Sequence, residues 1–163
     1  MKKNRCSTDT INHKLKFLWV VALRPEANAL IKKFKLKSFS AYSKFPIYIN
    51  RDNGHALVIS GIGSIRSAVA TMYLHNALNP CQSVAWINIG VAGHFQGPVG
   101  TLFQAVKVVN NNDGKSFFPG LRFSRLAKTA ELYTVSFPES EFALPVLYDM
   151  EAAGFCEIAP SLS

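Results

Sequence analysis

The segment Asn88-Ile89-Gly90-Val91-Ala92-Gly93, at the end of an apolar run, decides the fold that the sequence predicts. A short apolar run is typical of a buried β-strand, and glycines directly after it let the chain turn tightly at the carboxyl end of a sheet. Two further strand-like runs end in similar loops, Lys16–Leu23 before Arg24-Pro25-Glu26 and His55–Ser60 before Gly61-Ile62-Gly63. Three such ends predict binding loops along one edge of a sheet.

Helices are predicted after the first two of these runs. Pro25 suits a first helical turn, and the apolar residues that follow it recur at helical spacing, ending with four lysines at positions 32, 33, 35 and 37. Ser64 is predicted to be the N-cap of the second helix. Five residues are predicted to form its apolar face: Ile65, Ala68, Val69, Met72 and Tyr73.

The remaining pattern also alternates strands with helices. Asn53-Gly54 predicts a hairpin between Phe45–Asn50 and His55–Ser60. A buried strand over Val84–Ile89, strands over Thr101–Val109 and Leu132–Phe137, a loop over 110–114 and a last helix over Met150–Ala159 follow. We therefore predict an α/β protein, a three-layer α/β/α sandwich with a mixed, mostly parallel central sheet. Residues 1–14 lack periodicity and are expected to be a disordered basic lead-in to a single domain over 15–163.

Composition argues against several classes of protein. The net charge is +8, but residues 1–37 hold ten of the eighteen Lys and Arg residues against two acidic ones, which is typical of a tail and a solvated helix face rather than a nucleic-acid groove. No apolar run approaches the roughly 18 residues that cross a bilayer. Three widely spaced cysteines indicate neither disulfides nor a zinc site. We expect a cytoplasmic protein without metal, nucleic-acid partner or membrane partner.

The order and spacing of four motifs resemble the methylthioadenosine/S-adenosylhomocysteine nucleosidase branch of the nucleoside phosphorylase superfamily. These motifs are the strand-end acid Glu26, "SGIG" at 60–63, "NIGVAG" at 88–93 and "DMEA" at 149–152. The resemblance covers Phe17 to Ala159, with one shortened region after Val109. It implies a phosphorylase-like fold and hydrolysis of the N-glycosidic bond of a purine nucleoside such as methylthioadenosine, without a cofactor.

The resemblance also assigns roles to particular residues. Glu26 corresponds to the acid that activates the attacking water, and Glu151 to the acid that accepts hydrogen bonds from the ribose hydroxyls. Both roles suit carboxylates, although Glu26 also fits an ordinary first helical turn and Glu151 an exposed helix position. The remaining implied substrate contacts, each with core packing or a tight turn as its alternative, are Gly63, Val91, Ala92, Gly93, Phe137 and Met150.

Three alternatives remain open at this point. Relatives continue into a strand with an aspartate that protonates the purine, so we expect this chain to be truncated and its activity to be uncertain. A non-catalytic or vestigial nucleoside-binding protein is therefore the second hypothesis. A phosphate-dependent phosphorylase is the third, but the Gly-Asp-Pro-x-Arg type of phosphate loop is absent and Glu26 would repel phosphate. The expected partner is a small nucleoside. A homodimer is also expected, since family members are commonly dimers or larger assemblies.

Overall fold

The structure is a computed structural model that describes residues 15–40, 43–80, 83–94, 98–121, 125–139, 141 and 144–162. The predicted basic lead-in at residues 1–14 lies outside the described residues. Within them, ten β-strands, three α-helices and a final 3₁₀ helix follow one another along the chain. The predicted α/β class is confirmed.

The helices and strands have the following bounds. In chain order they are β1 (Phe17–Val21), α1 (Arg24–Lys33), β2 (Lys37–Ser40), β3 (Ile47–Asn50), β4 (His55–Ile59), α2 (Ser64–Leu78), β5 (Ala85–Asn88), β6 (Gly93–His94), β7 (Phe103–Asn110), β8 (Ser116–Phe117), β9 (Lys128–Thr134), β10 (Leu147–Asp149), α3 (Ala152–Ile158) and the 3₁₀ helix Ala159–Leu162.

The strands form two five-stranded mixed sheets. The first has the order β2-β3-β4-β1-β5, in which β1 runs parallel to both β4 and β5. The second has the order β6-β10-β9-β7-β8, in which β9 runs parallel to both β7 and β10. Antiparallel pairing lies on one side of the parallel centre in the first sheet and on both sides in the second. The carboxyl ends of β1, β4 and β5 therefore meet at one edge, as the three predicted binding loops require.

Helices cover both faces of the first sheet. Successive side chains of β1 point to opposite faces, so they pack against different helices. Leu18 and Val20 pack in the cluster that contains Ala70, Leu74 and Leu78 of α2. Trp19 and Val21 pack on the other face with Ala27 of α1 and with Phe34, the residue directly after that helix. α3 packs on the second sheet through Ala152, Ala153 and Cys156. The predicted three-layer arrangement is confirmed, with the strands divided between two sheets.

The predicted apolar face of α2 is wrong. The side that meets the sheet carries Ser67, Ala70, Thr71 and Leu74. The Thr71 hydroxyl is buried there and donates a hydrogen bond to the Ser67 carbonyl over 2.8 Å. Small side chains there let the helix approach the strands closely. Ile65, Val69 and Met72 of the predicted face lie on the opposite side, where Ile65 is 81% exposed. Ser64 is the first helical residue, and Gly63 takes the N-cap position.

Several element boundaries also differ from the predictions. α1 ends at Lys33, and Lys35 adopts a positive φ of 51°, so the last two lysines of the predicted run lie beyond the helix. Residues 37–40 form β2, which the sequence pattern did not indicate. β5 has only β1 beside it among the described strands, and its residues are half-buried or exposed rather than buried. β9 covers 128–134 instead of 132–137, and α3 begins at Ala152.

His55 joins α1 to the first sheet through an aromatic cluster. Its Nδ1 accepts a hydrogen bond from Trp19 Nε1 over 3.0 Å, and its ring stacks on Phe34 with 3.9 Å between centroids. The imidazole is buried, and this burial, followed by the nearby charge of Lys16, lowers the pKa of His55. The folded state therefore favours the neutral ring, because a protonated Nδ1 cannot accept from Trp19.

We predict that the protein loses stability in mild acid through His55. A group whose pKa is lowered on folding stabilises the fold fully above its unfolded pKa, about 6.5 for histidine, and this contribution is lost as the pH falls through the folded pKa. Thermal melts between about pH 7.5 and about pH 5.5 measure the effect. His55→Gln keeps a hydrogen-bond acceptor without a titrating ring, so its melting temperature should fall less with pH. Equal slopes for the two proteins would contradict the prediction.

Within the described part of the chain, no helix has the length and apolar character needed to cross a membrane.

Candidate active site

A cleft of about 260 Å³ opens at the carboxyl ends of β1, β4 and β5 and is closed on its far side by the second sheet. The loops after β1 and β5 contribute Leu23, Glu26, Val91 and Gly93, and the end of β10 contributes residues 148–151. Four carboxylates line the cleft, and the described lining contains no lysine or arginine. These acids are Glu26, Glu139, Asp149 and Glu151.

Glu26 links the loop after β1 to the loop after β5. It lies in the first turn of α1, where its Oε2 accepts a hydrogen bond from the Leu23 N–H over 2.9 Å. Its Oε1 accepts from the Val91 N–H over 3.1 Å. The carboxylate therefore caps its own helix and also faces the cleft. Its place in the first helical turn agrees with the alternative interpretation, and the capping bond was not predicted. Since each carboxylate oxygen accepts more than one hydrogen bond, capacity remains for a water molecule.

Glu151 links the loop after β4 to the end of β10. Its Oε1 accepts from the Gly63 N–H over 2.7 Å, and its Oε2 accepts from the Met150 N–H over 3.3 Å. Burial raises the pKa of this carboxyl, the negative charges of Asp149 and Glu26 raise it further, and the two N–H donors oppose the shift. Because Glu26 and Glu151 both line this cleft, the two acids face the same space.

Asp149 is a cleft residue to which the sequence assigned no role. Its Oδ1 accepts a hydrogen bond from Thr134 Oγ1 over 2.7 Å, and its Oδ2 accepts from the N–H groups of Glu151 and Ala152 over 3.2 Å and 2.7 Å. Burial raises the pKa of Asp149, against the effect of these three donors. Asp149 directly precedes the helix predicted over Met150–Ala159, which was a capping signal that could have identified it.

The other predicted substrate contacts divide into three groups. Met150, Val91 and Gly93 line the cleft, and Gly63 touches it through its hydrogen bond to Glu151. Ala92 packs instead against the core of the second sheet. Phe137 is 81% exposed and lies outside the described lining, so stacking on a base remains a prediction that this arrangement does not support.

A second cleft of about 310 Å³ adjoins the first and shares Ile62 and Val135 with it. Its wall includes the start of α2 and the polar residues Asn112, Thr134 and Ser136. Arg66 is its charged residue, and the guanidinium is held by a hydrogen bond from Nε to the Ser60 carbonyl over 3.0 Å. The acidic first cleft therefore adjoins a second cleft whose lining includes a basic group.

Solved structures share the fold of this chain. No protein-family model and no curated protein matches the sequence. The apo structure of 5′-methylthioadenosine nucleosidase from Arabidopsis thaliana superposes with a TM-score of 0.77 at 20% identity, covering 92% of this chain and 78% of the other.

Two further structures extend the likeness to bacterial enzymes. The 5′-methylthioadenosine/S-adenosylhomocysteine nucleosidase of Neisseria meningitidis, in complex with methylthio-immucillin-A, gives a TM-score of 0.72 at 20% identity and covers 91% of this chain and 81% of its own. A futalosine hydrolase mutant from Helicobacter pylori gives 0.71 at 13% identity, with 90% and 84% covered.

These similarities place the molecule in a fold class. The chain is an α/β protein with two mixed sheets. Within that class, its fold is the one found in the 5′-methylthioadenosine/S-adenosylhomocysteine nucleosidases.

Proposed function

We propose that this protein hydrolyses the N-glycosidic bond of a purine nucleoside, with methylthioadenosine and S-adenosylhomocysteine as the first substrates to test. The observation that carries the proposal is the convergence of Glu26 and Glu151 on one cleft at the carboxyl ends of parallel strands. Ligands of open α/β sheets bind at this edge. Solved nucleosidases with the same fold contain methylthio-immucillin-A or adenine, which supports the choice of substrate.

In this proposal Glu26 acts on water. The Glu26 carboxylate accepts a hydrogen bond from a water molecule, whose oxygen attacks C1′ of the ribose while the bond from C1′ to the purine nitrogen breaks. The electron pair of that bond stays on the purine, which takes a proton from solvent water as it leaves. The proton of the attacking water passes to Glu26 and then returns to solvent. A carboxylate beside C1′ also stabilises the positive charge that develops on the sugar.

Glu151 binds the sugar in the same proposal. Its carboxylate retains acceptor capacity after the bonds from Gly63 and Met150, and two ribose hydroxyls can donate to it. The adjacent Met150 is half-buried and gives the sugar an adaptable apolar wall. The excess of carboxylates in the lining disfavours phosphate as the attacking group, so water is the nucleophile.

Release of free adenine from methylthioadenosine tests this function. The purified chain should release adenine at the same rate with and without phosphate, and the sugar product should be free methylthioribose. Production of a ribose 1-phosphate that requires phosphate would overturn the hydrolase in favour of the phosphorylase. Binding of methylthioadenosine without release of adenine would overturn catalysis in favour of a non-catalytic nucleoside-binding protein.

We further propose that two copies of the chain associate through α2. The side of this helix that faces away from the sheet carries Ile65, Val69 and Met72, which are 81%, 49% and 37% exposed. Ile62, at the rim of both clefts, continues this stripe and is 50% exposed. Apolar residues at helical spacing on an open face are typical of an interface, and a two-fold contact covers the same stripe on both copies.

Sedimentation velocity measures this association. We expect a dimer for the unmodified chain and a monomer for Val69→Asp, since a charge at the centre of the stripe has no partner there. The melting temperature should change little beyond the loss of association, because Val69 does not pack in the core of the protomer. A dimer that persists in Val69→Asp would contradict the proposal.

A reducing compartment such as the cytoplasm is part of the same proposal. Cys156, the cysteine within the described residues, is a free thiol in the core, and burial raises its pKa to about 12. A buried protonated thiol of this kind is suited to a cell compartment that keeps cysteines reduced.

A further inference from the structure

The carboxylate of Glu151 lies at the start of α3 without capping that helix. Glu151 occupies the N-cap position, yet its side chain makes no capping hydrogen bond and reaches across to the Gly63 N–H. The first N–H groups of a helix need acceptors from outside the helix. Another group must therefore supply them if Glu151 is to remain directed into the cleft.

Asp149 supplies these acceptors from the end of β10. Its Oδ2 receives the N–H groups of Glu151 and Ala152 over 3.2 Å and 2.7 Å. The third N–H, from Ala153, is received by Thr134 Oγ1 over 3.0 Å, and that hydroxyl donates in turn to Asp149 Oδ1 over 2.7 Å. Asp149 and Thr134 are paired residues of the parallel strands β10 and β9. The start of α3 is thereby tied to both strands.

We propose that Asp149 is a positioning residue, which holds the backbone of Glu151 and leaves the Glu151 carboxylate available to the ribose. This inference rests on the proposed function. Without Asp149, the closest substitute acceptor for the N–H groups of α3 is the Glu151 carboxylate itself, because the N-cap side chain is the usual acceptor for them. Glu151 would then turn from Gly63 toward its own helix. The sugar would lose its hydrogen-bond acceptor while Glu26 kept its place.

Alanine and asparagine at position 149 separate positioning from simple loss of the side chain. Asp149→Ala removes all three acceptor contacts, and we expect the Kd for methylthioadenosine to rise by about tenfold or more, as for a lost hydrogen bond to a charged group. Asp149→Asn keeps one oxygen acceptor for the N–H groups of α3, so it should restore most of the affinity. In turnover, the effect should appear in KM more than in kcat, since Glu26 is untouched.

Glu157→Gln is the matched control for a general weakening of α3. Glu157 lies on the exposed side of the same helix and accepts hydrogen bonds from Lys115 Nζ over 2.7 Å and 2.6 Å. Its replacement removes a helix contact without touching Glu151, so the Kd should stay unchanged. An equal loss of affinity in Glu157→Gln and Asp149→Ala would overturn the positioning role.

A carboxyl ¹³C titration of Glu151 gives a readout that is independent of activity. The charge of Asp149 raises the pKa of Glu151. This pKa should therefore fall in Asp149→Asn, and in Asp149→Ala it should fall further as the carboxyl leaves its buried position. An unchanged Glu151 pKa in both variants would overturn the inference.

The same experiments distinguish the two proposals. If the unmodified chain binds no nucleoside, the proposed function fails, and the titration alone decides whether Asp149 positions Glu151. If the unmodified chain binds methylthioadenosine and Asp149→Ala binds it equally well, the positioning role fails and the proposed function stands.

Discussion

Replacing Glu26 by glutamine is expected to lower the rate of adenine release by about 10²- to 10⁴-fold, the usual contribution of a general acid or base. The amide oxygen of the new side chain can still accept a hydrogen bond from the Leu23 or Val91 N–H, so the loop positions should survive. The amide cannot take a proton from water or stabilise a cationic sugar. The Kd for methylthioadenosine should therefore change little while kcat collapses.

Glu139→Gln is the matched control for this prediction. Glu139 lines the same cleft, and its replacement removes the same charge without touching the links that Glu26 makes. We expect it to keep most of the activity. Equal rate losses for the two variants would mean that the negative charge of the cleft matters and the position of Glu26 does not. Full activity in Glu26→Gln would contradict the proposed mechanism.

Replacing Gly154 by alanine is expected to destabilise the protein by about 1–3 kcal/mol, as overpacking does. α3 crosses α2 at this glycine, and an added Cβ would lie 1.9 Å from the Ser64 carbonyl oxygen and 2.6 Å from its carbonyl carbon. Backbone atoms cannot rotate away as a side chain can, so α3 must shift. Glu151 lies immediately before this helix and should lose its hydrogen bond to Gly63.

The expected loss of stability is opposite in sign to the usual effect of replacing glycine by alanine in a helix. In an open helix, replacing glycine by alanine stabilises by about 1 kcal/mol because the unfolded chain loses freedom. Thermal or urea unfolding of Gly154→Ala should show a lower stability, and its affinity for methylthioadenosine should fall. A more stable variant would show that α3 and α2 do not cross as closely as described.

Local signals predicted the framework of the fold well. The Asn53-Gly54 turn joins β3 to β4 as an antiparallel pair, and the three predicted binding loops, two of which contain glycine, follow three neighbouring strands. Both features depend on residues close together in the chain, whose backbone preferences act in any context. The strand Thr101–Val109 was predicted nearly to its observed bounds for the same reason.

Features set by tertiary contacts could not be predicted in this way. Periodicity identifies an apolar face on α2, but it does not say that the sheet takes the side with Ala70 and Thr71. Position 137 was assigned to a strand that ends at Thr134, so its side chain was misplaced relative to the cleft. A local capping signal pointed to Asp149, but no local pattern indicates its hydrogen bond from Thr134, fifteen residues earlier.

The predicted site came from two sources. Individual residues such as Glu26 fitted a helix turn as well as a catalytic role, and the structure shows that this carboxylate does cap α1. The family resemblance singled out Glu26 and Glu151 together, and their convergence then follows from the parallel pairing of β1 with β4 and β5 and from the bond between Gly63 and Glu151. The sequence offered no other route to a pair 125 positions apart.

A crystal structure of Glu26→Gln with methylthioadenosine bound tests the account most directly, because the variant should bind the nucleoside without cleaving it. We predict that the ribose hydroxyls lie within hydrogen-bond distance of the Glu151 carboxylate and that C1′ faces residue 26. A nucleoside bound elsewhere, or a ribose that touches neither residue, would contradict the account.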